Sequence, residues 1–204
     1  MLHYVDDTNR KENQDLLDQM YELRARSFKE RLGWRVEVIN GREYDYFDDL
    51  NPLYVIVSDG AGTLLASLRL LPTPGPHMLA DVFPEVMGDK QPIRNPLVRE
   101  SSRFCVNTDA SKNYAQSGIN TVTRELLRGL FENAYEVGMM NVVSVYDIYV
   151  ERILKRAGCT FERLGPVVRY DEGLKTTCGL FEVSEDVIES LTDEVPVQKT
   201  EAHE

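Results

Sequence analysis

The sequence predicts a mixed α/β sandwich, and three observations carry that expectation. Tyr54-Val55-Ile56-Val57 reads as a strand, Asp59-Gly60-Ala61-Gly62 as a turn, and Leu64 to Leu71 as the returning strand of an antiparallel hairpin. Ile119, Val122, Leu126, Leu130, Ala134 and Val137 recur at three- and four-residue spacing, which makes a long amphipathic helix stopped by Gly138. The second half then alternates strand, helix, strand, helix, strand, an order that favours crossover connections with helices packed on a mixed sheet. The 204 residues suit one compact domain, and 42% apolar with 28% charged residues is too hydrophobic for a disordered chain.

Each element has a local reason. From about Asn13 to Leu32, Leu16, Met20 and Leu23 line one helix face, with Leu17 beside them, Phe28 farther on and Gly33 as the stop. An aromatic and acidic stretch, Trp34 to Asp49, closes at Asn51-Pro52. After the hairpin, Pro72-Thr73-Pro74-Gly75-Pro76 cannot enter a sheet interior and is expected on the surface. Arg99 to Val106 reads as a strand, Val142 to Val145 as a short buried strand, and Val150 to Arg156 as a helix closed by Gly158. Val167 to Tyr170 and Leu180 to Val183 are the last two strands. A single domain over residues 1–185 follows, with an acidic, mobile segment over 186–204.

Lys and Arg number 23 against 34 Asp and Glu, a net charge of −11, which removes nucleic acid from the expected partners. The segment from Ser184 to Glu204 carries −6 of it, so the body is only mildly acidic. The start, Met1-Leu2-His3-Tyr4-Val5-Asp6-Asp7, has neither a basic nor an apolar signal region, and no apolar run reaches membrane-spanning length. A cytoplasmic protein without a membrane partner is expected. Cys105, Cys159 and Cys178 match no metal or disulfide spacing and read as buried free thiols. His3 and His203 lie at the termini and His77 in a proline-rich loop, so no metal site and no Ser-His-Asp arrangement is visible. Chemistry must therefore run on carboxylates, arginines and backbone.

Four segments could supply it. Glu43, Asp45, Asp48 and Asp49, interleaved with Tyr44, Tyr46 and Phe47 and preceded by Trp34, suit an organic cation, because carboxylates fix the charge and aromatic faces attract it. The same stretch also fits a solvated acidic loop. Arg99-Glu100-Ser101-Ser102-Arg103-Phe104 is polar for a strand; Glu100 there can act as a general base and its arginine neighbours can bind an anion. Strand period sets Glu100 and Arg103 on opposite faces unless a bulge turns one of them. A structural ion-pair network with Arg24 or Arg69 is the plainer alternative. Tyr114-Ala115-Gln116-Ser117-Gly118, leading into the long helix, is only a remnant of a phosphate loop. Arg152, Lys155 and Arg156 put three bases on one short helix, either a solvated face or a dock for an acidic carrier protein.

Taken in order, Arg24-x-x-x-Phe28, Gly33-Trp34, Glu43-x-Asp45-x-x-Asp48, Arg69-Leu70-Leu71-Pro72-Thr73, Phe83-Pro84 and Glu100-x-Ser102-Arg103-Phe104 form a recognisable series. Across residues 1–185 the chain resembles the acyl-homoserine-lactone synthases, the LuxI-type autoinducer synthases of bacterial quorum sensing. The resemblance implies a three-layer α/β/α sandwich similar to the GNAT acyltransferases, with a V-shaped cleft in the sheet for the acyl-pantetheine arm. It implies S-adenosylmethionine and an acyl thioester as substrates, with no separate cofactor. The thioester's phosphopantetheine would be carried by acyl carrier protein or, in a minority of the family, by coenzyme A. N-acylation, then lactone closure with release of methylthioadenosine, would be the reaction.

Carried over by position, the resemblance makes Arg24, Phe28 and Trp34 the adenosylmethionine clamp. Asp45 and Asp48 would hold the cationic end, Arg69 would brace them, and Phe83 would pack near the sulfonium. Glu100 would accept the amine proton through a water, Arg103 would hold substrate carboxylate or the acidic network, and backbone amides near Phe104 would bind the thioester carbonyl. Val122, Leu126, Val145, Tyr146 and Ile148 would line the acyl pocket. Tyr146 stands where 3-oxo-selective members often carry threonine. Arg152, Lys155 and Arg156 would dock the carrier. A GNAT-like N-acyltransferase using acyl-coenzyme A on another amine, and a non-catalytic sensor, are the competing readings.

Overall fold

The computed structural model describes residues 1–116, 119–170 and 173–192. One eight-stranded mixed sheet organises the chain. Its strands are β1 (Leu2–Val5), β2 (Leu53–Ser58), β3 (Leu64–Pro72), β4 (Val98–Val106), β5 (Asn141–Asp147), β6 (Glu162–Arg163), β7 (Val168–Tyr170) and β8 (Leu174–Glu182). The order is β1-β2-β3-β4-β5-β8-β6, with β7 also on β8. Helices α1 (Gln14–Arg24), α2 (Met78–Asp81), α3 (Thr121–Glu136), α4 (Val150–Arg156) and α5 (Glu185–Thr192) complete it.

Strand alternation divides the core. Val55 and Val57 of β2 face a cluster with Leu126, Leu130 and Phe131 of α3, while Tyr54 and Ile56 face Leu17, Met20 and Leu23 of α1. Helices thus cover both faces, which is the expected three-layer sandwich. Only one of the two expected crossovers forms: β4 and β5 pair in parallel across α3, whereas β8 returns antiparallel to β5 after α4. The link through α4 and the short strands β6 and β7 reverses the chain, so β8 lies beside β5 as a long arm of a folded-back ribbon.

Three other expectations change. The first helix runs as α-helix only to Arg24 and continues over Ala25–Arg31 as a π-helical turn, with the Leu32 amide bonded to the Ser27 carbonyl five residues back. In the proline loop Pro72, Pro74 and Pro76 are exposed, but Thr73 is buried, its hydroxyl 2.9 Å from the Val98 carbonyl. The boundary at 185 is too early. α5 packs Val187 and Leu191 into the same cluster as Phe131 and Ala134, so residues 186–192 are folded, and 193–204 lie outside the described residues.

Two irregularities in the sheet prepare the site. β3 and β4 pair Ser67 with Cys105 and then Arg69 with Ser102, so three steps on β4 oppose two on β3. The bulge holds Arg103 at φ 56°, a left-handed conformation uncommon for a non-glycine residue. Beside it, β4 and β5 share pairs only from Val98–Asn141 to Ser101–Ser144, although β4 runs on to Val106 and β5 to Asp147. The two strands therefore share no ladder pair beyond Ser101 and Ser144, which leaves their facing edges unpaired there. The three cysteines are buried and free, and burial pushes the Cys105 thiol up to about 11. Among the described residues no helix is long and apolar enough to cross a membrane.

The α5 packing has a direct test. Leu191→Ala is expected to cost about 2–5 kcal/mol by emptying part of the α3–α5 contact. A chain ended after Thr192 is expected to keep its urea midpoint, and equilibrium denaturation of both variants checks the pair.

Candidate active site

The site is built around three arginines, each from a different element. Arg24 ends α1, Arg69 lies in β3, and Arg103 occupies the β4 bulge. Their partners come from one short loop. A two-strand turn, Val38–Ile39 with Arg42–Glu43, delivers Glu43. Asp45 then caps a 3-10 turn, Tyr46–Asp49. The Phe47 amide donates to the Asp45 carboxylate at 2.9 Å and the Asp45 amide to the Asp48 carboxylate at 2.9 Å. The aspartate spacing is thus set by a capping box, which fixes both side chains from within the loop.

Arg24 grips Asp48 with both terminal nitrogens, at 2.9 and 2.8 Å, and donates its Nε to Glu43. Arg69 bridges Asp45 and Asp48, the latter at 2.8 Å, and gives its Nε to the Ser102 hydroxyl at 3.2 Å. Arg103 donates to Glu43 at 2.8 Å and lies 2.6 Å from Asp45. Three guanidiniums meet three carboxylates, so the charges cancel within the cluster. Such planar, bidentate pairing is what arginine supplies and lysine does not. Tyr54 adds its hydroxyl to Asp48 at 2.7 Å. Burial pushes the Asp48 carboxyl up, but Arg24, Arg69 and the Asp45 amide outweigh it and hold the group well below the usual carboxylate range.

A cavity of about 280 Å³ opens beside this cluster. Asp45, Arg103 and Met78 line one end; Trp34, Val82, Phe83, Tyr170, Leu174 and Thr176 line much of the rest. The aromatic rings form a chain: Phe28 and Trp34 have centroids 5.9 Å apart, Trp34 and Phe83 5.6 Å, Phe83 and Tyr170 5.1 Å. Arg103 rests on the Phe28 ring, 5.1 Å from its centroid. A carboxylate end and an aromatic wall together suit a cation with an extended flat or apolar remainder.

Glu100 is fully buried in β4, and its two oxygens accept from the Met78 and Leu79 amides at 2.7 and 2.6 Å, at the start of α2. Burial pushes its carboxyl up to about 7, against the opposing pull of those amides and of the Arg69 and Arg103 charges. The bulge resolves the strand-period conflict. Glu100 meets the Met78 amide while Arg103 meets the Met78 sulfur at 3.2 Å, so both side chains converge on one residue.

The structure separates residues that the sequence grouped. Arg24, Asp48 and Arg69 are absent from the cavity wall and fully buried within the network, where Asp48 braces Arg24 and Arg69. Phe28 reaches the cavity only through Trp34 and Arg103. The Phe104 side chain packs on the α3 face, away from the cavity. The acyl set also divides, because adjacent strand residues point to opposite faces. Val122, Leu126 and Tyr146 belong to the α3 cluster, Val145 packs on the opposite cluster, and Ile148 joins neither. Tyr146 lies against Phe161 and Phe181, and its buried hydroxyl has no partner among the described residues. Arg152, Lys155 and Arg156 are exposed on α4, Lys155 3.6 Å from Glu151. Ser117 and Gly118 of the phosphate-loop remnant lie outside the described residues.

Sequence reasoning gave no individual role to Glu43, Tyr54, Met78, Tyr170 or Thr176. Glu43 alone was visible in a motif. The others are ordinary strand or loop residues whose importance appears only when the sheet brings them together.

The comparisons with known proteins agree with this geometry. Residues 7–190 match the autoinducer synthase family model. A probable acyl-homoserine-lactone synthase of Sinorhizobium fredii is 38% identical over 154 residues, 76% of this chain and 74% of the relative. The crystal structure of the acyl-homoserine-lactone synthase LasI superposes with a TM-score of 0.80 at 30% identity, covering 98% of each chain. BjaI, a coenzyme-A-dependent synthase solved with S-adenosylmethionine and isopentyl-coenzyme A, gives 0.83 at 25% identity, over 95% of this chain and 88% of that one. The chain belongs to the autoinducer synthase family, whose curated relatives are acyl-homoserine-lactone synthases.

Proposed function

We propose that this enzyme joins S-adenosylmethionine to an acyl thioester and closes the product to an acyl-homoserine lactone. The cavity with Asp45 and Arg103 at one end and the Trp34–Phe83–Tyr170 wall along it is the observation that carries the reading. Adenosylmethionine has an ammonium, a carboxylate and a sulfonium close together and an aromatic base beyond them. Asp45 complements the ammonium, Arg103 the carboxylate, and the aromatic faces the sulfonium and the base. Substrate complexes of the similar BjaI support both substrate classes.

Glu100 serves as the base. A free α-amino group has a pKa of about 7.7–8.0, so a carboxylate poised near 7 suffices to take its proton through one intervening water. The freed amine attacks the thioester carbonyl, the C–S bond breaks, and the thiol leaves with a proton. The donor's pantetheine arm enters between β4 and β5, where the unpaired backbone of both strands can hydrogen-bond it. The bulge at Arg103–Phe104 supplies backbone amides for the charge that develops on the carbonyl oxygen. In the second step the substrate carboxylate attacks the γ-carbon. The sulfonium leaves as neutral methylthioadenosine, so an anion and a cation are consumed together and no protein nucleophile is needed.

For the donor, the exposed bases Arg152, Lys155 and Arg156 favour acyl carrier protein. The coenzyme-A dependence of BjaI supports the alternative donor. Mass spectrometry of purified enzyme with adenosylmethionine and a panel of thioesters on both carriers distinguishes them. Methylthioadenosine with an acyl-homoserine lactone is the expected result. An acylated amine without methylthioadenosine would transfer the enzyme to the GNAT-like N-acyltransferase reading.

Two substitutions test the roles. Glu100→Gln is expected to lower kcat/KM by about 10²–10⁴ and to remove an ascending pH limb centred near 7; a retained limb assigns the base elsewhere. Asp45→Asn and Asp48→Asn are expected to differ in kind. Asp48→Asn leaves Arg24 and Arg69 short of a buried counter-charge and costs about 3–5 kcal/mol of stability, read by denaturant unfolding. Asp45→Asn keeps more of the fold and raises KM for adenosylmethionine.

A further inference from the structure

Two residues in the cavity wall carry a buried polar atom with no hydrogen-bond partner among the described residues: Trp34 at Nε1 and Thr176 at its hydroxyl. Buried polar groups are almost always paired, and an unpaired one is costly, so two among the residues lining one cavity point to a ligand that completes them. Thr176 is fully buried in β8, with β5 on one side, where it opposes Asp147, and β7 on the other, where it opposes Val168. Both strand edges are occupied, so its hydroxyl projects from a backbone already paired. Alternation sets it on the same face as Cys178, which packs with Phe83, Val86 and Met87 beside the cavity.

The charged end of the cavity is fixed by Asp45 and Arg103. Elsewhere on the wall the Tyr170 hydroxyl is engaged by Glu85 at 2.6 Å. Thr176 therefore offers the wall a hydroxyl able both to donate and to accept, while the indole of Trp34 can only donate. An adenosyl group carries what these atoms lack: ribose hydroxyls that donate and accept, and purine nitrogens that accept.

We propose that Thr176 binds the nucleoside end of the substrate, its hydroxyl hydrogen-bonding the adenosyl group, with the Trp34 indole as a second donor to the same moiety. This rests on the adenosylmethionine reading above and adds a residue outside the motif series. Asp45 and Arg103 hold the amino-acid end, so the two ends are recognised separately.

Methylthioadenosine has the nucleoside without the amino acid, and calorimetric titration with it and with adenosylmethionine isolates the contribution. Thr176→Val, close in shape, is expected to weaken both ligands by a similar factor of about 3–10, and Thr176→Ser to restore most of it. The ligand-free Thr176→Val protein is expected to melt at the same temperature or higher, because an unpaired buried hydroxyl is gone. Thr176→Ala serves as the second variant if valine does not fold. Unchanged affinities, or weakening of adenosylmethionine alone, would overturn the proposal. So would a lower melting temperature with both affinities intact, which marks a structural hydroxyl. If the wild-type enzyme binds neither ligand, the adenosylmethionine reading itself fails, and this inference with it.

Discussion

Three guanidiniums buried beside one sheet face impose the main constraint on this molecule. Arg24 and Arg69 are wholly removed from water and Arg103 nearly so, and none can be deprotonated at any relevant pH. Each must therefore meet a carboxylate where it lies. The chain meets that demand with a single loop, Glu43 to Asp48, whose capping box positions Asp45 and Asp48 from within. α1, β3 and β4 are thus tied to one loop by charge, and the loop's remaining face becomes the cavity wall. A network of this kind is poor as a simple stabiliser, because desolvation cancels much of the attraction. Its effect is to hold Asp45 and Arg103 in place at the cavity edge.

The sheet leaves one internal edge unpaired. Had β4 and β5 continued in register past Ser101 and Ser144, the backbone groups on their facing edges would be paired to each other. The adjacent bulge breaks the other edge of β4 at nearly the same level, and without it Arg103 would face the α3 side and leave Glu43 and Asp45 short of a partner. One inserted residue therefore closes the ion network and brings Glu100 and Arg103 to a common neighbour.

How much of this was legible in the sequence follows from the range of each interaction. The hairpin, α3 and β4 were readable because hydrophobic period and turn residues are local signals. The resemblance was readable because its residues are contiguous within short motifs. The π-helical turn after Arg24 was not, since Ala25–Arg31 has ordinary helical composition and the change in winding is imposed by what Arg24 and Phe28 must reach. The reversal at β8 and the docking of α5 depend on which edge and which helix face remain uncovered, a tertiary fact. In the site, Asp45 and Asp48 look alike as sequence; only burial tells the cavity-facing one from the brace. Thr176 was invisible because a threonine in a strand needs no explanation until its hydroxyl is found without a partner.

The two buried carboxylates Asp48 and Glu100 are driven in opposite directions, and the consequences for stability oppose each other as well. Asp48 is held below its ordinary pKa, so its contribution is present above the unfolded value near 3.8 and is lost only as pH falls well below it. Glu100 is raised from 4.5 to about 7, so the folded protein retains a proton that the unfolded chain gives up. Between those two values stability falls as pH rises, and above about 7 that loss is complete. Above about pH 7 the fold therefore bears the full cost of the buried Glu100 charge. The Met78 and Leu79 amides reduce that cost without removing it, since they hold the ionised form in place while protein, not water, surrounds it. That buried charge is tolerated because the arginine network, neutral in itself and complete, adds no second uncompensated charge beside it.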